Sequence, residues 1–123
     1  MEAIQNRLHS NGSAFREQKR IAKGYFKLNK LGSKVTLKLK GDFNDTNINC
    51  VNASIKMINS LRHRHFELDL SEVETITMQA MALLIINLKI LEENGLHTKA
   101  TGLDQGKLNL ANELGMHFIT QTE

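Results

Sequence analysis

An alternation of strand-like and helix-like segments in the second half of the chain most constrains its fold. Residues 66–70 alternate Phe, Leu and Leu with acidic residues, the two-residue period of a strand with one buried face. A helical pattern over 78–94 stops at Gly95, and a short strand pattern covers 96–101. Because a strand, a helix and a strand in succession form a crossover connection, the two strands are predicted to be parallel.

The first half of the chain predicts a hairpin and a further helix. Segments 25–30 and 34–40 have strand character, and 34–40 places Val and Leu on one face and Lys and Thr on the other. The loop at 41–46 ends in Asn, Asp and Thr, which cap helices, and a helix is predicted over 46–62. With a last helix over 104–114, the predicted fold is α/β. It is a mixed β-sheet with helices packed on it, in the order β-β-α-β-α-β-α.

The N-terminal segment differs in composition from the rest of the chain. Residues 1–23 are polar and basic, and Ser-Asn-Gly-Ser at 10–13 interrupts any helix. We predict a basic, mobile N-terminal arm over 1–23, with a short helix around 14–22, and a folded domain over 24–123.

Charge is distributed unevenly along the chain. Residues 1–66 hold 13 Lys/Arg and 4 Asp/Glu, which gives +9, whereas residues 67–123 hold 3 and 9, which gives −6. This asymmetry indicates either an acidic or phosphate-bearing partner, or lysines that protect edge strands against aggregation. Both interpretations stay open.

Composition excludes several classes of protein. A single cysteine, Cys50, rules out an internal disulfide framework and a cysteine zinc cluster. The longest nearly apolar run, 78–86, is far shorter than the roughly 20 residues of a membrane span, and the first residues carry no apolar stretch typical of a secretory signal. We therefore expect a cytoplasmic protein without direct membrane insertion.

The sequence carries no complete catalytic or metal-binding motif. Gly102 and Gly106 precede Lys107 but lack the Ser or Thr of a phosphate-binding loop. His63 and His65 would share a face of a strand, but no third ligand lies near them, which indicates a solvated basic turn. We predict no enzyme, no cofactor and no metal site, and we interpret the cysteine as structural.

The helix predicted over 78–94 carries two apolar stripes, although a helix packed on one face of a sheet needs only one. One stripe suits the core: Met81, Leu84, Ile85, Leu88 and Leu91. The opposite stripe consists of Leu83, Ile86 and Ile90, with Ala82 beside it and Gln79 in its middle. Either other parts of the chain cover this second stripe or another protein does, a self-paired dimer included.

Three motifs resemble those of STAS domains, the sulphate-transporter and anti-sigma-factor-antagonist family. Residues 66–76 resemble the Leu-Asp-Leu-Ser-x-Val-x-x-Ile strand and loop, and 41–44 resemble the Gly-Glu/Asp-Leu-Asp loop. Residues 108–118 are similar to the closing helix and its Gly-Leu/Met turn. The resemblance covers about residues 25–119 and implies a STAS-like fold.

This resemblance also implies a mechanism. Antagonists of this family bind a serine kinase that sequesters a sigma factor, and phosphorylation of a Ser in Asp-Ser-Ser-Gly, at the start of the long helix, ends the binding. Here these positions are Thr77, Met78, Gln79 and Ala80, and Gln79, at the phosphoacceptor-equivalent position, cannot accept phosphate. Because Gln is neutral, we expect constitutive binding, with phosphorylation of Thr75 or Thr77 as the alternative.

The resulting hypothesis is a non-catalytic regulatory module with a protein partner, either a serine-kinase-type anti-sigma factor or a related ATPase. A homodimer stays open, and nucleic acid is not expected as a partner. The alternative function is that of a cytoplasmic STAS subunit in a lipid-transport ABC complex. The predicted partner-binding residues are Asp42, Asn44, Asp45, Thr77, Met78, Gln79, Ala80, Leu83, Ile86 and Ile90.

Overall fold

The computed structural model describes residues 16–21, 24–58 and 60–115, with side chains from residue 24 onward. Eight elements follow one another: β1 Arg16–Ile21, β2 Gly24–Leu31, β3 Lys34–Phe43, α1 Ile48–Lys56, β4 His65–Ile76, α2 Met78–Glu93, β5 His97–Thr101 and α3 Gln105–Glu113. The strands form one sheet in the order β1-β2-β3-β4-β5. β1, β2 and β3 pair antiparallel, whereas β3–β4 and β4–β5 pair parallel.

The predicted α/β fold is confirmed, with one strand added at its start. The short helix predicted around 14–22 is wrong, because Arg16–Ile21 forms β1 and pairs with β2 from Arg16 opposite Asn29 to Ile21 opposite Gly24. β2 would otherwise present an open row of backbone donors and acceptors, which these six residues satisfy. Residues 1–15 and 22–23 lie outside the described residues, so a mobile arm stays a prediction there, whereas Arg16–Ile21 belongs to the same sheet as the domain predicted to begin at residue 24.

The core lies between one face of the sheet and the helices. The apolar face predicted for β3 is buried, as are the apolar residues of β4 at 66, 68 and 70. All five residues of the stripe assigned to the core are buried: Met81, Leu84, Ile85, Leu88 and Leu91. α2 therefore supplies the largest helical share of the core.

The opposite face of the sheet is polar. Lys34 Nζ lies 3.1 Å from Glu67 Oε1, and Lys38 Nζ lies 3.1 Å from Glu72 Oε2. The hydrogen bond to Glu72 raises the pKa of Lys38. Lysines of β3 thus pair with carboxylates of β4 across the parallel strands, although exposed pairs of this kind contribute little stability.

β4 continues beyond its alternating pattern, to Ile76. The pattern ends early because two shifts in register interrupt the pairing of β4 with β3. Lys38 lies opposite Asp69 and Lys40 lies opposite Glu72, so β4 advances by one residue more than β3, and a second shift follows Gly41. The extra residues change which side chains face the core. The segment 71–76, predicted as a loop, is therefore a strand that has lost its simple alternation.

Helix ends agree with the predictions where a special backbone conformation marks them. Gly95 has φ +102° directly after Asn94, the C-cap of α2, at the position where the sequence predicted the helix to stop. α1, by contrast, ends at Lys56 rather than at residue 62, because the Met57 N–H bonds to Ser54 and tightens the last turn. Ile58 is nevertheless buried, so its apolar periodicity continues beyond the helix.

Leu37→Ala is expected to lower the free energy of unfolding by about 2–5 kcal/mol, because Leu37 is fully buried in the central strand and its removal leaves a cavity. Leu31→Ala is the matched control. Leu31 is exposed at the end of β2, so its truncation should change stability by less than about 0.5 kcal/mol. Urea denaturation followed by circular dichroism measures both, and equal losses would contradict this account of the core.

Candidate functional site

The carboxyl ends of β3 and β4 bring the predicted site residues together. Asp42 lies opposite Thr75 in the parallel register, and the Thr75 hydroxyl donates to Asp42 Oδ1 at 2.8 Å. One step later the Thr77 N–H donates to the Phe43 carbonyl at 3.1 Å. The end of β3 and the start of α2 are therefore adjacent, as the predicted site requires.

Two asparagines organise the loop between β3 and α1. The Asn44 N–H donates to Asn47 Oδ1 at 2.8 Å, and the Asn47 N–H donates to Asn44 Oδ1 at 3.0 Å. Asn44 Oδ1 also accepts from the Thr46 N–H, and Asn47 Nδ2 donates to the Asp42 carbonyl at 2.9 Å. These bonds fix the loop, with the side chains of Asn44 and Asp45 exposed.

The capping prediction for α1 was correct only in part. Asn44 accepts backbone N–H groups as predicted, but those of the loop rather than of the helix. α1 begins at Ile48 after Asn47, which makes no side-chain cap bond. The Ile48 N–H donates instead to the Asn44 carbonyl at 3.1 Å.

Thr77 caps the start of α2. Its backbone is extended, and its Oγ1 accepts a hydrogen bond from the Ala80 N–H at 3.1 Å. Met78 and Gln79 follow in the first turn, and both are exposed. Ala80 is fully buried, so the prediction that it contacts a partner is wrong, because its methyl group turns into the core.

The second apolar stripe of α2 divides into a covered and an uncovered part. Leu83 packs against the core and is only partly exposed. Ile86 and Ile90 are 55% and 48% exposed, and Met78, near the start of the helix, is 56% exposed. At 1.5 Å per residue, Gln79 and Ile90 are separated by about 16 Å along the helix axis. Gln79, Ile86 and Ile90 therefore give α2 an exposed face that begins with a polar side chain and continues with apolar ones.

Three histidines of the described residues, His63, His65 and His97, lie elsewhere, at the amino ends of the strands. His63 is buried, so the solvated turn predicted for it is wrong, whereas His65 is exposed and its ring stacks on that of His97 at a centroid distance of 5.5 Å. Sequence reasoning missed this pair, because it depends on the register of β4 with β5. Within the described ranges, no three His, Cys, Asp or Glu side chains could together hold a metal ion.

Cys50 is exposed on α1. In the part of the chain that the structure describes, no helix combines the length and the apolar character that crossing a bilayer requires.

Comparisons with known proteins identify the fold through solved structures alone. No family model matches the chain, and no curated protein matches it. A structure titled as that of Mglu is 18% identical, with a TM-score of 0.60 over 63% of this chain, but the match spans only 19% of that longer protein.

Two solved structures of one smaller protein match nearly throughout. The anti-sigma-factor antagonist SpoIIAA in its unphosphorylated form is 13% identical, with a TM-score of 0.63 over 80% of this chain and 88% of its own. The Bacillus cell fate determinant SpoIIAA in its phosphorylated form is 15% identical, with a TM-score of 0.63 over 80% and 92%. At these identities the likeness concerns the fold, and it confirms the fold that the sequence motifs indicated. The chain folds as a STAS-like domain, similar to SpoIIAA.

Proposed function

We propose that the chain is a non-catalytic regulatory module that binds a protein partner, in the manner of an anti-sigma-factor antagonist. Its binding site is the α2 surface, which consists of Asp42, Asn44, Asp45, Thr77, Met78, Gln79, Ile86 and Ile90, with Leu83 at its border. The partner is a serine-kinase-type anti-sigma factor or a related ATPase in the cytoplasm. The STAS-like fold supports the class of function, and the exposed face of α2 supports the site.

The exposure of Ile86 and Ile90 is the observation that carries this proposal. Both lie on a helix whose opposite stripe is entirely buried, and both leave about half of their surface in water. Full burial of an isoleucine side chain contributes roughly 1.5–3 kcal/mol, so covering two half-exposed ones is a useful contribution to an interface. The hydrogen-bonded loop at Asn44 adds polar groups held in fixed positions beside the helix.

The second part of the proposal is that this binding has no phosphoserine switch. Gln79 is exposed in the first turn of α2, where its amide is neutral and cannot be phosphorylated. Thr75 donates its hydroxyl to Asp42, so a phosphate there would meet a carboxylate. The Thr77 hydroxyl is engaged with the Ala80 N–H. Phosphate found at high stoichiometry on either threonine, after incubation with the partner kinase, would contradict constitutive binding.

The partner is to be isolated first, with the tagged full-length chain from its native cell and identification by mass spectrometry. A kinase-type ATPase agrees with the proposal, whereas an ABC ATPase with its permease would replace it by the alternative function. Light scattering on the purified chain tests a third outcome, in which a second copy covers Ile86 and Ile90.

Gln79→Asp is expected to weaken partner binding by about tenfold or more, because the interface would have to desolvate a new charge. The stability of the fold should not decrease. A carboxylate in the first turn of a helix is favoured by the helix dipole, by about 0.3–1 kcal/mol. Calorimetric titration gives the affinity, and thermal unfolding gives the stability.

Asn94→Asp is the matched control for Gln79→Asp. It adds the same charge at the exposed opposite end of α2, where the helix dipole disfavours it. Partner affinity should stay unchanged while stability falls slightly. Equal affinities for the two variants would mean that the partner binds elsewhere.

The double variant Ile86→Ser/Ile90→Ser is expected to lose at least about tenfold in partner affinity, since it removes the apolar part of the α2 surface. Its unfolding midpoint should change little, because both side chains already lie half in water. Leu31→Ser/Met57→Ser, two similar changes at the end of β2 and the end of α1, serves as control and should bind like the original chain. Unaltered binding by the first variant would contradict the site.

Thr77→Ala is expected to lower the free energy of unfolding by about 1 kcal/mol, because it removes the hydroxyl that accepts the Ala80 N–H. Thr77→Ser keeps the acceptor and should restore most of the loss. Chemical denaturation measures both variants. If Thr77→Ala were as stable as Thr77→Ser, the hydroxyl would be free for another role and its structural assignment would be wrong.

A further inference from the structure

The amino ends of β3, β4 and β5 lie together, at the opposite end of the sheet from Thr77. We call this end of the sheet, with the loops that meet there, the second edge. The Ser33 carbonyl accepts from the Arg64 N–H at 2.8 Å and from the His65 N–H at 3.1 Å. The Arg64 carbonyl accepts from the His97 N–H at 2.8 Å. These bonds join the β2–β3 turn, the segment between α1 and β4, and the start of β5.

This edge carries the most exposed large apolar side chains of the described residues. Leu31 and Met57 are each 81% exposed, and Leu61 is 92% exposed. Single exposed apolar residues are ordinary on protein surfaces, but here three are contributed by segments that meet at one edge. Cations accompany them. We define the basic edge by Lys30, Leu31, Lys56, Met57, Leu61, Arg62 and Arg64.

The positive charge of the basic edge is not neutralised within the described part of the chain. No ion pair there involves Lys30, Lys56, Arg62 or Arg64. The carboxylates nearby are largely engaged: Glu67 pairs with Lys34, and Glu92 Oε1 accepts from the backbone N–H and the hydroxyl of Thr98. Glu93, exposed in the last turn of α2, opposes only part of this charge.

We propose that the basic edge docks on the surface of an anionic lipid bilayer. The tips of Leu31, Met57 and Leu61 enter the boundary between headgroups and acyl chains, while Arg62 and Arg64 contact lipid phosphates. No segment needs to cross the bilayer. The part of the α2 surface from Asp42 to Gln79 lies at the other end of the strands and stays accessible to its protein partner.

Lipid fits this edge better than the other occupants that its charge would attract. A nucleic acid would use the cations, but it gains nothing from exposed leucines and favours aromatic platforms, and no Phe, Tyr or Trp belongs to the basic edge. A second copy of the chain would bring the same cations together. An anionic surface with an apolar interior complements both the charge and the aliphatic side chains.

The chain contains no tryptophan, so one introduced tryptophan reports on its own surroundings. In Leu61→Trp, fluorescence emission should shift to shorter wavelength with phosphatidylcholine vesicles that contain phosphatidylglycerol, and stay unchanged with pure phosphatidylcholine. Met78→Trp, at the start of α2 and at the other end of the strands, is the control and should not shift with either vesicle. No shift for Leu61→Trp with anionic vesicles, or equal shifts for both variants, would overturn the proposal.

Co-sedimentation with the same anionic vesicles separates the two contributions. Arg62→Gln/Arg64→Gln should bind about 30-fold more weakly, at roughly a kilocalorie per mole for each cation. Leu31→Ser/Met57→Ser/Leu61→Ser, whose charge is unchanged, should bind at least about tenfold more weakly. If only the arginine variant lost binding and the chain also bound a single-stranded oligonucleotide as tightly, the edge would be a polyanion surface and the lipid assignment would be wrong. Circular dichroism verifies that each variant is folded.

Discussion

The parallel pairing of β3 with β4 is the interaction on which the rest of the structure depends. It runs from Lys34 opposite His65 to Phe43 opposite Ile76, along the full length of both strands. Their apolar side chains form the sheet side of the core, which the buried stripe of α2 covers. Because parallel strands end at the same edge, this pairing also determines which loops are neighbours. Asp42 meets Thr75 at one end, and Ser33 meets Arg64 at the other.

The two register shifts in β4 determine which of its side chains face the core and which lie at the candidate site. Without them, strict alternation would continue from Leu70 and turn other side chains toward the core. With them, Val73 is buried and Thr75 is exposed beside Asp42, directly before the cap of α2. The start of α2 is held by the hydrogen bonds of the Thr77 hydroxyl and the Thr77 N–H. Gln79 takes no part in these bonds, and its neutral side chain is exposed. The Asp42–Gln79 part of the proposed protein-binding surface and the proposed lipid-binding surface thus lie at opposite ends of the sheet.

Local patterns predicted the elements whose signals are strong. The period of two in β3, the buried stripe of α2 and the glycine after α2 each follow from side-chain geometry within a few residues, and each was confirmed. Weaker signals failed for physical reasons. Arg16–Ile21 has no apolar period, and it is a strand because β2 offers it backbone partners. Leu83 was assigned to a partner surface from a helical wheel, but a wheel does not reveal how widely the core wraps around a helix. Ala80 was assigned from its place in the resembled motif, which does not show that its methyl group is buried.

The sequence by itself determined the α/β class, the order of all elements after β1, the two-sided apolar character of α2 and the neutral residue at position 79. These depend on composition and on periods shorter than ten residues. Tertiary structure alone decided that Ile86 and Ile90 are exposed while Leu83 is covered, and that Leu31 and Leu61 share an edge with Arg64. The reason is that burial and proximity depend on strand register and on packing between distant segments, which no local pattern encodes.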